Sequence, residues 1–300
     1  MANHSPFRRR FDRVVGYRLE AAAVFVFMAL MRMLPLEAAS GLVGGLMRRV
    51  GPMLGASKKA LRNIERAFPD MPEAERRRVL ADAWENFGRT LAEYVHLKRI
   101  ADRFEEHVEM VGGEHLTALA TDGRPGIAVT GHFGNWELAA LACARHGLEL
   151  TFVYRAPNNP WVDRWLAEAR SFLGGRMVPK GKEAAKGLVA TMRAGGHAGL
   201  LVDQKLNEGI PVPFLGRDAM TGTVMADIAL RYDAPVVPIR VTRLKGARFR
   251  VEAFPPLALP RGGDMRADVP AVMRVVNDLL SDWVRQMPGQ WLWQHRRWPD

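Results

Sequence analysis

From about residue 105 to the C-terminus, short apolar runs alternate with segments of helical periodicity. That texture constrains the fold more than any other feature of the chain. Candidate strands lie at 107–111, 126–130, 149–153, 198–202, 235–242 and 248–254, and candidate helices at 114–121, 136–146, 159–173, 183–194, 222–231 and 268–286. Strands separated by helices must pair through crossovers, and helices then cover the sheet. The expectation is an α/β fold: a mixed, mostly parallel sheet flanked by helices. With 300 residues there is room for one such core and little else. No internal repeat, low-complexity segment or long linker divides it.

The first hundred residues read differently. Arg8, Arg9, Arg10, Arg13 and Arg18 precede an apolar stretch at 21–36 that only Arg32 interrupts, and a milder apolar stretch comes next at 38–47. A bilayer span needs about 20 apolar residues, and both flanks here are basic, which favours their staying on one side. The pattern fits a helical, membrane-associated N-terminal region, an interfacial helix or shallow hairpin, with a buried core helix as the alternative. The expected division is residues 1–56 as basic arm and membrane-associated helix, and 57–300 as catalytic domain. Helical spacing continues through Leu61, Ile64 and Phe68, breaks at Pro69 and Pro72, and resumes from Glu73 to Lys98.

Charge narrows the partners. Forty-three Lys and Arg against 32 Asp and Glu give a net charge of +11, which favours anionic surfaces without choosing among them. The single cysteine, Cys143, excludes an intrachain disulfide and a cysteine-based metal centre. Neither a G-x-S-x-G elbow nor an H-E-x-x-H helix is present. GGRMVPKGKEAAKG resembles a phosphate-binding loop only superficially, because Glu183 stands where Ser or Thr is required.

The chemistry concentrates in GIAVTGHFGNWELAALACA, residues 126–144. A buried strand runs into Gly131, His132 and Gly134, and a helix starts near Glu137. His132 therefore sits at the C-terminal end of a strand, where α/β sheets place their ligands. On one helix, residues five apart would point about 140° from each other. With His132 in the turn before the helix, the Glu137 carboxylate can fold back to one ring nitrogen. The other nitrogen is then free to take a proton.

GHFGNWE resembles the first motif of the bacterial lipid A biosynthesis acyltransferases, the late or secondary acyltransferases. These sit within the wider lysophospholipid acyltransferase group with a His-x4-Asp/Glu site. The blocks VYRAPNNPWVD (153–163), LLVDQK with VPFLGRDAMTGT (200–223), APVVPIRVTR (234–243) and QWLWQHRRW (290–298) resemble the family's later blocks in order. The resemblance implies a membrane-associated O-acyltransferase on the cytoplasmic face of the inner membrane. It would move a fatty acyl chain from an acyl thioester, with acyl carrier protein as the expected donor, to a hydroxyl of a lipid A precursor; the alternatives are an acyltransferase for another glycolipid or a lysophospholipid, or a non-catalytic peripheral membrane-binding protein in which His132 is structural. It implies no metal, no other cofactor and no nucleic-acid partner. His132 would be the general base and Glu137 its orienting partner.

Other candidates have two readings each. Arg155, after an apolar strand, serves a phosphate or oxyanion, or a structural salt bridge. Asp203, ending GLLVD, orients another group or forms a turn. Gln204 and Lys205 line the same edge. Arg217 meets a phosphate or is a solvated loop cation. Arg240, inside an apolar strand, needs a partner because an unpaired buried charge is costly. Trp291, Trp293 and Trp298 suit a headgroup interface or the core.

Overall fold

The computed structural model describes residues 6–154, 156–171, 175–179 and 182–298. It opens with two helices, α1 (Pro6–Met33) and α2 (Leu36–Val50), joined at Leu34 and Pro35. Two more, α3 (Ala56–Ala67) and α4 (Glu73–Glu93), are separated by the Pro69–Pro72 break, and short α5 (Leu97–Asp102) and α6 (Phe104–His107) come after them. The α/β part then runs β1 (Val108–Val111), α7 (Gly113–Thr121), β2 (Gly126–Thr130), α8 (Glu137–Arg145), β3 (Leu150–Tyr154), α9 (Pro160–Arg170), β4 (Arg176–Pro179), α10 (Lys182–Arg193) and β5 (His197–Leu201). A hairpin of β6 (Lys205–Phe214) and β7 (Arg217–Thr221) interrupts the alternation. The chain continues with α11 (Val224–Arg231), β8 (Val236–Arg243), β9 (Phe249–Ala253) and α12 (Met265–Gln286).

Seven strands form one sheet in the order β1-β9-β8-β2-β5-β3-β4. All neighbours are parallel except β8 and β9, which meet antiparallel. The expected mixed, mostly parallel sheet is thus what the chain forms, and each expected strand lies within a residue or two of an observed one. The unexpected strands are β4, β6 and β7.

Side chains alternate across a strand, and the two faces of β2 show it. Ile127 and Val129 pack with Val236, Met225, Val276 and Trp283 on the side of α11 and α12. Ala128 packs with Val237, Leu116 and Leu138 on the side of α7 and α8. β2 is buried along its whole length, between β8 and β5. The turn that leaves β2 at Gly131 therefore emerges at the centre of the sheet's C-terminal edge.

The N-terminal helices divide by burial. α2 packs along α4 through Leu36, Ala39, Ser40 and Val43. α1 buries Ala21 and Met31 but exposes Leu19, Val26, Leu30 and Met33. Exposed apolar side chains continue at Leu42, Leu46, Met53 and Leu54. No helix among the described residues is long and apolar enough to cross a membrane.

A buried ion pair joins these parts. Glu93 at the end of α4 is fully buried and paired with Arg243 at the end of β8, itself 8% exposed. Ser40 of α2 donates to Glu93 Oε1 at 2.7 Å, and Asn135 donates to Oε2 at 2.9 Å. Asn86 and Thr90 of α4 accept from Arg243 and also donate to the Gly134 carbonyl. An ion pair removed from water is tolerable only when its remaining lone pairs and protons are satisfied, as they are here. Removing one partner strands the other. Glu93→Ala is expected to destabilise the fold by about 3–5 kcal/mol, seen as a lower midpoint in urea denaturation. A change below about 1 kcal/mol would show that the pair does not hold these elements together.

Candidate active site

Parallel register builds the centre of the site. Thr130 of β2 lies opposite Leu201 of β5, and the Val202 amide donates to the Thr130 carbonyl at 3.1 Å. Two residues further along each strand, His132 and Asp203 stand side by side beyond the sheet edge. The His132 Nδ1 is 2.7 Å from Asp203 Oδ1, and the His132 backbone amide donates to Oδ2 at 2.7 Å. Gly131 makes the approach possible. A Cβ there would lie 2.8 Å from the Phe133 ring and 3.1 Å from Asp203 Oδ2. Gly134 adopts a left-handed φ of 53° where a Cβ would press on the Val241 carbonyl at 2.8 Å.

Asp203 is fully buried. Burial pushes its carboxyl up, but the His132 charge and hydrogen bonds outweigh it and hold the group well below the usual carboxylate range. An ionised carboxylate on Nδ1 requires that nitrogen to carry a proton, so in the neutral form of the ring it is Nε2 that holds the lone pair. The Gln204 side-chain amide approaches that Nε2 at 3.2 Å, in the donor role.

Glu137 lies elsewhere. It begins α8, and its buried carboxylate receives Arg170 Nε at 2.9 Å, a second bond from Arg170 Nη2, the Tyr94 hydroxyl, and Trp136 Nε1 at 3.1 Å. The expected contact between Glu137 and the imidazole is therefore corrected: Asp203 takes that place. A buried carboxylate seeks its strongest donor, and the Arg170 fork supplies two parallel bonds. The link from Glu137 to His132 runs through Trp136, whose ring packs 5.1 Å from the imidazole centroid. Arg170 stays charged: burial opposes it, but Glu137 and Tyr94 together raise its pKa. Tyr94 is kept protonated by burial and by the Glu137 charge.

Both groups border a cavity of about 1220 Å³. His132, Glu137, Tyr94, Arg170, Gln204 and Lys205 stand on its wall. The rest is mainly apolar or small: Ala139, Ala140 and Cys143 from α8, Ala128, Leu150, Phe152 and Gly199 from the sheet, and Ala184, Ala185 and Leu188 from α10. Such a space suits a flexible hydrocarbon chain whose reactive end reaches His132. Cys143, with its thiol pushed up to about 12 by burial, is inert packing there.

Of the candidates read from sequence, His132, Gln204, Lys205 and Glu137 meet at this cavity, and Asp203 stands behind His132. Arg217 does not: it is exposed on β7, beyond the hairpin turn at Leu215 and Gly216. Arg155 lies outside the described residues. Arg240 is paired with Glu252 across β8 and β9. The three tail tryptophans are buried, which favours the core over an interface. Tyr94, Arg170 and Trp136 escape sequence reasoning. Arg170 meets Glu137 across 33 residues and Tyr94 across 76, and no local pattern encodes that.

The comparisons with known proteins give the class of the chain, an acyltransferase. Residues 7–300 match the profile of the bacterial lipid A biosynthesis acyltransferase family. The chain belongs to that family. It is 28% identical over 242 residues to the lipid A biosynthesis lauroyltransferase of Escherichia coli, covering 79% of this chain and 76% of that protein. It is 22% identical to the lipid A biosynthesis myristoyltransferase of the same organism, covering 82% of this chain and 76% of that one. It is also 23% identical to the phosphatidylinositol mannoside acyltransferase of Mycobacterium tuberculosis, covering 81% and 78% respectively.

Proposed function

We propose that this acyltransferase moves a fatty acyl chain from an acyl thioester to a hydroxyl of a lipid A precursor, with His132 as general base. One observation carries the reading: a histidine whose Nδ1 is bonded to a buried carboxylate stands on the wall of a large apolar cavity. The acceptor hydroxyl displaces the Gln204 amide and gives its proton to Nε2. Its oxygen bonds to the thioester carbonyl carbon, the carbon–sulfur bond breaks, and the leaving sulfur takes the proton from the imidazolium. Asp203 steadies the imidazolium charge. Arg170, held by Glu137, supplies a fixed cation on the cavity wall for the developing oxyanion or an acceptor phosphate. Glu137 thus acts on the reaction through Arg170 and Trp136.

Acyl carrier protein is the proposed donor, because a net charge of +11 favours an acidic carrier. The likeness to a phosphatidylinositol mannoside acyltransferase keeps a second acceptor class open, another glycolipid. Mass spectrometry of the products formed from each lipid separates the two. We also assign residues 1–56 to the surface of the membrane, at the cytoplasmic face where soluble acyl thioesters are available. The exposed Leu19, Val26, Leu30, Leu42 and Leu46 form the apolar part, and exposed Arg18, Arg32 and Arg49 stand among them.

Two outcomes are expected. His132→Ala should abolish transfer, and Asp203→Asn and Glu137→Ala should each lower kcat about 100-fold or more while the proteins remain folded. Near-normal turnover by folded His132→Ala would overturn the mechanism. Replacing Leu19, Val26, Leu30, Leu42 and Leu46 with Gln should release the protein from vesicles containing anionic lipid in a flotation assay. Because α2 is part of the core, substitution is a cleaner test than deletion. Undiminished flotation would contradict the surface assignment.

A further inference from the structure

The segment after α12 is bound to the loop that carries His132. The Gly134 amide donates to the Gln290 carbonyl at 3.1 Å, and the Leu292 amide to the His132 carbonyl at 3.2 Å. Phe133 and Trp291 form an antiparallel bridge between these bonds. The Gln290 side chain fixes the segment from the other side: it accepts from the Arg243 amide at 2.7 Å and donates to the Arg243 carbonyl at 2.9 Å. The strap is therefore held at both of its faces, and the side chain it projects is set in place with little freedom.

That side chain is Trp291, 1% exposed and ringed by Phe214, Trp293 and His295. Its indole Nε1 donates to Asp203 Oδ2 at 2.8 Å. Oδ2 thus receives two N–H donors, the indole and the His132 backbone amide, while Oδ1 faces His132 Nδ1. A carboxylate attached to the imidazole alone could rotate about its Cβ–Cγ bond. With Oδ2 pinned by two donors from different segments, Oδ1 has one direction to point.

We propose that Trp291 is a positioning residue for the acyl-transfer reaction: its indole N–H fixes the Asp203 carboxylate so that His132 Nε2 faces the acceptor hydroxyl. The C-terminal strap is then part of the catalytic apparatus and not only a cover for the core. The inference rests on His132 being the base. Trp291 does not stand on the cavity wall and its indole N–H is bonded to Asp203, so its effect must pass through Asp203.

The test is a double-mutant cycle read by steady-state kinetics. Trp291→Phe keeps a buried aromatic ring and removes the donor. It should lower kcat about tenfold, the scale of a lost hydrogen bond to a charged group, with KM for donor and acceptor changed by less than about twofold. In the Asp203→Asn background the same substitution should cost no more than about twofold. A packing role would instead give the same loss in both backgrounds, and that result, or full kcat in Trp291→Phe, would overturn the proposal. Should Trp291→Phe fold poorly, benzothienylalanine placed at position 291 has the indole shape with sulfur for N–H and should reproduce the loss. Full turnover with that residue would also overturn it. Turnover retained by His132→Ala would remove the base, and this inference with it, whereas an inactive His132→Ala beside a fully active Trp291→Phe overturns this inference alone.

Discussion

One fully buried carboxylate organises the site. An ionised Asp203 without hydrogen bonds would be intolerable in the interior. Three N–H donors satisfy it, from the His132 backbone, the His132 ring and Trp291. Those donors come from the turn after β2 and from the C-terminal strap, while the carboxylate itself sits just past β5. Satisfying one charge therefore brings together segments that are 71 and 88 residues away from it in sequence. The same requirement leaves the far nitrogen of His132 toward the cavity, so the electrostatic solution and the chemical one coincide.

A second buried pair repeats the logic one layer out. Glu93 and Arg243 are bonded to Ser40 of α2 and to Asn135 beside the His132 turn. Through them, the helix whose outer side carries Leu42 and Leu46 is tied by polar contacts to the loop that bears His132. A third buried carboxylate, Glu137, uses the Arg170 fork. Each carboxylate has its own cation or donor set, which keeps Arg170 from competing for Asp203 and leaves His132 as the group facing it. The division of labour among three carboxylates places an imidazole and a permanent cation on the same cavity wall.

Much of this is legible in the sequence. β2, β5 and β8 are short, mainly apolar runs, and such runs between helices define a parallel sheet. β6 and β7 escape the pattern because Pro211 and Pro213 interrupt the first and Gly216 and Arg217 read as loop. β4 escapes it as a four-residue edge strand ending in Pro179. His132 and Asp203 each stand out as polar residues at strand ends. Their pairing does not, although parallel register puts two positions at equal distance beyond adjacent strands side by side. Proximity in sequence assigns Glu137 to His132, and tertiary structure gives it Arg170 instead. Arg217 is a candidate on its motif alone and is exposed on the hairpin. Trp291 reads only as core or interface, because its donor bond depends on a contact across 88 residues.

The central claim is that Asp203, and not Glu137, orients the base. Proton and nitrogen NMR of protein labelled at histidine nitrogens tests it directly. A strongly downfield proton on His132 Nδ1, assigned by its loss in His132→Ala, should disappear in Asp203→Asn and persist in Glu137→Gln. Persistence in Asp203→Asn together with loss in Glu137→Gln would contradict the account and return Glu137 to the imidazole.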